Sequence, residues 1–163
     1  MNRRFPSLNL PVADLNIKNQ DGRLMVMDSL RRKFVALTPE EYVRQSFTAF
    51  LADTLGYPRG LMANEVSLTL NGMNRRCDTL ISDRKAQPLM IVEYKSPDVV
   101  ITQDVFDQIA RYNMVIGATY LTVSNGLHHY CCRYSDSDGK YCFLPSIPTF
   151  QSIETDTSEI TKN

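Results

Sequence analysis

A helical pattern set between extended runs limits this chain's fold more than any other feature. PLMIVEYK, ending at Lys95, and ATYLTVS, beginning at Ala118, read as strands, and the segment between them changes to helical spacing. From about Thr102 to Ile116, Val105, Ile109, Tyr112 and Ile116 share one stripe, Asp104, Asp107 and Arg111 fall away from it, and Gly117 ends the helix. A helix that carries the chain from one strand to the next is a crossover, and crossovers build mixed sheets with helices packed on them. Upstream, Thr38-Pro39-Glu40-Glu41 offers an N-cap, a proline at the first helical position and a capping-box glutamate, followed by Val43, Phe47, Phe50, Leu51 and Leu55 until Gly56-Tyr57-Pro58. NEVSLTL and RRCDTLI then flank Asn71-Gly72, a strong hairpin signal. The order helix, three strands, helix, two strands predicts an α/β or α+β fold with a mixed central sheet flanked by helices.

The remaining chain divides around this core. Residues 1–37 read as a β preamble built from RLMVMD and KFVAL, residues 38–145 as the core, and residues 146–163, polar and proline-broken, as a flexible tail. At 163 residues with 43% hydrophobic and 22% charged content, one domain is the expectation. Lysine plus arginine balances aspartate plus glutamate at 18 each, which excludes the global basic field of a dedicated nucleic-acid binder. The local clusters Arg31-Arg32-Lys33 and Arg75-Arg76 read as solvated faces. No signal-peptide core or membrane-length apolar stretch is present, and the four cysteines lack CxxC spacing, so a cytoplasmic protein with reduced thiols is expected.

Chemistry concentrates at the ends of two runs. Asp78 stands in RRCDTLI, and Glu93-Tyr94-Lys95 closes PLMIVEYK. Side chains alternate along a strand, so Glu93 and Lys95 share a face about 7 Å apart while Tyr94 points the other way. Read structurally, the group is a buried ion pair; but two carboxylates against one ammonium leave a negative pocket, a poor resting state without a cation. On the first helix, Glu41 is accounted for by the capping box, whereas Glu40 projects toward the side of Val43 and Phe47 that should face the sheet. Gln108 and Tyr112, four apart, lie one above the other on the second helix, Gln108 bordering the apolar stripe. By themselves they would be an exposed helix residue and a core aromatic. Glu65, in NEVSLTL, is expected on an exposed strand face.

The ordered set Asp78, Glu93-Tyr94-Lys95 and Gln108 with Tyr112 resembles the D…ExK…QxxxY pattern of PD-(D/E)XK nucleases. LTPEEYVRQSF, LGYPRG, EYKSP and ITQDVFDQIARYN make the chain similar, over roughly residues 30–135, to the N-terminal nuclease domain of type I restriction enzyme R subunits. One departure is Cys77, with no proline, before the acid. The resemblance implies a restriction-endonuclease-like core and a deoxyribonuclease using Mg²⁺, for which Mn²⁺ may substitute. It implies Asp78 and Glu93 as metal ligands with the Tyr94 carbonyl as a third, Glu40 joining from the first helix, and Lys95 orienting the attacking water. Gln108 and Tyr112 would position the lysine or a substrate phosphate. DNA is the implied partner, with a separate motor or specificity protein and a homodimer both open. The alternative is a non-catalytic DNA-binding or assembly module that keeps the nuclease fold.

Other signals carry less. His128-His129-Tyr130-Cys131-Cys132 contains zinc-ligand types, but strand alternation sets at most two of them on one side. Neither GxGxxG nor a GxxxxGK[ST] phosphate loop occurs, so a motor, if one is needed, must lie elsewhere.

Overall fold

A computed structural model describes residues 5–160. The first four and last three residues, which belong to the predicted preamble and tail, lie outside the described residues. The preamble forms its own antiparallel sheet of β1 (Ile17–Gln20), β2 (Arg23–Asp28) and β3 (Lys33–Ala36). The first hairpin turns on Asp21 and Gly22, both at positive φ as a two-residue turn of this hand requires.

Helix α1 (Pro39–Ala49) starts where the sequence places it, with Thr38 accepting from the Glu41 amide, and runs on into a wider π-helical turn, Phe50–Thr54. Six strands follow as one sheet in chain order: β4 (Met62–Leu70), β5 (Met73–Ser82), β6 (Pro88–Tyr94), β7 (Tyr120–Ser124), β8 (His129–Ser135) and β9 (Lys140–Phe143). Among the described residues only β6 and β7 pair in parallel, and the crossover between them is α2 (Gln103–Ile116), closed by Gly117 in the left-handed region. The mixed α+β architecture expected from the pattern is therefore present.

The sheet buries both faces because its central strands alternate two apolar sets. Met90, Val92 and Tyr94 of β6 join Val43, Phe47 and Leu51 of α1, while Ile91 joins Phe106 and Ile109 of α2 with Leu121 and Val123 of β7. The expected loose tail is instead a helix, α3 (Phe150–Ile160). Phe150 and Ile153 are buried against Tyr57, and the Tyr57 hydroxyl donates to the Pro148 carbonyl at 2.7 Å. Two apolar side chains one helical turn apart suffice to dock a segment whose composition is otherwise polar. No helix among the described residues is long and apolar enough to cross a membrane.

Candidate active site

Asp78 sits where two ladders break. The β4–β5 pairing runs from Met62 opposite Ile81 to Leu70 opposite Met73 but omits Glu65 and Asp78, and the β5–β6 pairing ends at Thr79 opposite Val92. Freed from the ladder, the Asp78 carboxylate accepts the Tyr94 amide at 2.9 Å, so it reaches the segment that carries Glu93 and Lys95. The Lys95 ammonium stands 3.6 Å from Glu93 Oε1, both side chains about a quarter exposed. The break within β5 and the end of β6 thus bring together Asp78, Glu93 and Lys95.

These carboxyls are electrostatically crowded. Burial and the neighbouring Asp78 charge push Glu93 up to about 8, against the pull of Lys95. Asp78 is also raised, first by burial and then by Glu65, although the Tyr94 amide and Arg44 oppose the shift. Glu40 is raised by burial and by Asp78, and it responds to Lys95 as well, which places it at the margin of the same group. The group holds more negative charge than it can comfortably ionise.

Tyr94 points away from Glu93, as alternation requires, and is fully buried beneath α1. Thr79 donates its one hydroxyl proton to Asn64 at 2.6 Å, so the Tyr94 hydroxyl, 2.9 Å away, must donate to Thr79. Asn64 in turn donates to Asp28 at 3.0 Å. Tyr94 thereby ties the site's backbone to the N-terminal sheet.

Two residues of the site are not foreseen by the sequence reading. Glu65 is no exposed strand residue: its backbone is left-handed at φ 56°, its side chain is 19% exposed, and it pairs with Arg44 at 2.6 Å and Arg76 at 2.9 Å. A non-glycine residue held there is strained, and nothing in the alternation of NEVSLTL announces it. Arg44 is the second. Its Nη1 meets Glu41 at 2.6 Å, and its Nη2 meets Glu65 at 2.6 Å, Asp78 at 3.2 Å and Glu40 at 3.9 Å. Burial disfavours its charge, but Glu41, Asp78 and Glu65 more than restore it. A cation inside the stripe formed by Glu40, Val43, Phe47 and Leu51 is the sequence signal that could have found it.

Glu41 also departs from expectation. It receives only the Thr38 half of a capping box, and its own carboxylate is buried between Arg31 at 2.8 Å and Arg44, with Gln45 donating at 2.9 Å. Arg31, expected on a solvated face, is instead half-buried between Glu41 and Asp28. Arg75 and Arg76 do stay exposed.

On α2 the predicted pair divides. Tyr112 is half-buried and lines a small crevice with Glu93, Arg76, Cys77, Ile91 and Ile109, whereas Gln108 is exposed rather than at the border of the stripe. The buried positions of the helix are Phe106, Ile109 and Asn113. His129 is held by Ser124 at 2.7 Å and the Asn9 carbonyl at 2.8 Å, while Cys131 and Cys132 enter opposite faces of the sheet. Among the described residues no group of three or more His, Cys, Asp or Glu side chains is arranged to hold a metal ion; at the acid cluster the Arg44 guanidinium fills the space between carboxylates.

The architecture has a counterpart among known proteins. The family profile described as the type I restriction enzyme R protein N terminus matches residues 39–148, and the chain belongs to that family. A solved fragment from Vibrio vulnificus YJ016, described as an HsdR subunit of a type I restriction enzyme, is similar in fold with a TM-score of 0.52 at 20% sequence identity. The similarity covers 74% of this chain but 26% of that one, so this chain spans about a quarter of its relative. No protein of curated function matches.

Proposed function

We propose that the chain is a Mg²⁺-dependent deoxyribonuclease domain of the PD-(D/E)XK type, acting within a type I restriction system. The observation that carries this reading is the convergence of Asp78, Glu93 and Lys95 at the break in the ladders, with more carboxylate than the local cations balance. Asp78 and Glu93 are oxygen donors of the kind a hard divalent ion takes and would be its side-chain ligands, with Glu40 and the Tyr94 carbonyl as the further donors the reading calls for. When bound, Mg²⁺ would screen the phosphodiester's charge and activate water at neutral pH. Asp78 is held for this task by the Tyr94 amide, and Glu93 holds the Lys95 ammonium beside it. Lys95 orients the attacking water and balances charge growing on the phosphate. Tyr112, beside Glu93, and Gln108, one turn away on the solvent side, would position Lys95 or a substrate phosphate.

The balanced charge of 18 against 18 gives modest intrinsic affinity for DNA, so delivery falls to a separate motor or specificity protein of the system. The test is plasmid nicking in Mg²⁺ or Mn²⁺, with the purified chain beside its variants. Lys95→Ala is expected to lose activity by about 100-fold or more while remaining folded. Cleavage that survives both Lys95→Ala and Asp78→Ala would reject the assignment.

A further inference from the structure

Among the described residues, Arg44 is the one cation that touches both the proposed metal-binding acids and the acids outside them. Its two terminal nitrogens have different roles. Nη1 is committed to Glu41, at 2.6 Å, and Glu41 is itself fixed by Arg31 and Gln45. Nη2 is shared among Glu65 at 2.6 Å, Asp78 at 3.2 Å and Glu40 at 3.9 Å. The flat guanidinium lies over the Tyr94 ring, 5.7 Å from its centroid, and its Nε is buried without a hydrogen-bond partner. The side chain is 5% exposed, so water screens its pairings with the buried carboxylates only weakly.

Resting on the nuclease reading, we propose that Arg44 is a positioning residue that serves as the site's resident counter-cation: it neutralises Asp78 in the metal-free protein and gives up that contact when Mg²⁺ is taken up. The geometry supports an exchange rather than a permanent pairing. The Asp78 contact is longer than those to Glu41 and Glu65, and its loss leaves Arg44 a close carboxylate on each terminal nitrogen. Glu65, turned inward by its left-handed backbone and steadied by Arg76, is the acid to which Nη2 remains bound. Without such a cation Asp78, Glu93 and Glu65 would repel one another in a buried site. With it, the empty site is stable but the metal must compete, so Arg44 lowers metal affinity in return for a folded apo state.

Two measurements on the whole chain test this without reference to cleavage. The first is NMR of the arginine side-chain nitrogens of the unaltered protein during titration with MgCl₂. The Arg44 signal is expected to shift with the same midpoint that calorimetry gives for Mg²⁺ binding, because its Asp78 partner is exchanged. The second is calorimetry on Arg44→Gln, checked for folding by circular dichroism; Mg²⁺ is expected to bind about tenfold tighter or more, since a competing buried charge is gone. If the unaltered protein takes up Mg²⁺ while the Arg44 signal stays in place, or if folded Arg44→Gln binds no tighter, the proposal is overturned and the nuclease reading stands. If the unaltered protein takes up no Mg²⁺ or Mn²⁺, the nuclease reading itself fails, and this proposal with it.

Discussion

Helices α1 and α2 flank the same sheet, yet one buries its charges and the other leaves them in water. Helix α1 buries Glu41, Arg44, Gln45, Ser46 and Thr48 together with Val43 and Phe47. Helix α2 buries Phe106, Ile109 and Asn113 and exposes Asp104, Asp107, Gln108 and Arg111. The difference follows from what covers them. Residues of the N-terminal sheet and the β4–β5 hairpin close over the start of α1 and supply partners for every buried charge: Asp28 to Arg31, Arg31 to Glu41, Glu41 to Arg44, Arg44 to Glu65 and Asp78. Among the described residues no such layer lies over α2, and its polar side obeys ordinary amphipathic logic. Charge is buried where the chain supplies a relay of opposite signs, and that relay leads to the candidate site.

The strongest way to break the contrast is to interrupt the relay at its middle. Glu41→Ala strands Arg31 and Arg44 with one carboxylate fewer between them, and removing one partner of a buried pair costs about 3–5 kcal/mol. Denaturant unfolding of the metal-free protein should show a loss of that size. A loss under about 1 kcal/mol would show that the relay behaves like a surface ion pair.

This relay also marks where sequence reading ends. The cap at Thr38, the turn at Asn71-Gly72, the stop at Gly117 and the convergence of Asp78 with Glu93 and Lys95 are all legible, because each depends on local spacing or on alternation along a strand. Glu65 is illegible because a left-handed backbone reverses the side that alternation assigns to it. Arg44 draws its partners from 21 and 34 positions away, on strands whose register no local signal fixes. Helix α3 is hidden for a related reason: Phe150 and Ile153 look isolated in a polar segment until the fold presents Tyr57 to them.

The relay's far end offers a gentler test, by pH. Burial pushes the Asp28 carboxyl up, but hydrogen bonds from Asn64 and from the Arg31 backbone and side chain, together with the Arg31 charge, outweigh it and hold the group below its usual 3.8. A carboxyl with a depressed folded-state pKa contributes stability that is complete above its unfolded value and is lost as pH falls through the folded one. Stability should therefore decline below about pH 4, where the carboxyl of the unfolded chain takes up its proton while the native one still resists it. Asp28→Asn should be less stable than the unaltered protein near neutrality, with the gap closing in acid. A gap that is the same at pH 3 and pH 7 would mean that shape, not charge, anchors the N-terminal sheet.

On α2 the comparison is sharpened by a pair of small effects. Asn113 is its one buried polar residue, and it closes the helix by donating to the Ala118 carbonyl at 2.7 Å and accepting the Ala118 amide at 2.8 Å, with Tyr141 also 2.8 Å away. Asn113→Ala leaves a buried amide and carbonyl unpaired, which costs about 1–3 kcal/mol. Asp107, by contrast, only accepts from Gln103 one turn back on the exposed side, at 3.0 Å, and Asp107→Ala should change stability by less than about 0.5 kcal/mol. Equal losses in the two variants would mean that the exposed side of α2 is held by something other than water. Unequal losses in the expected order would confine the fold's polar dependence on this helix to its last turn.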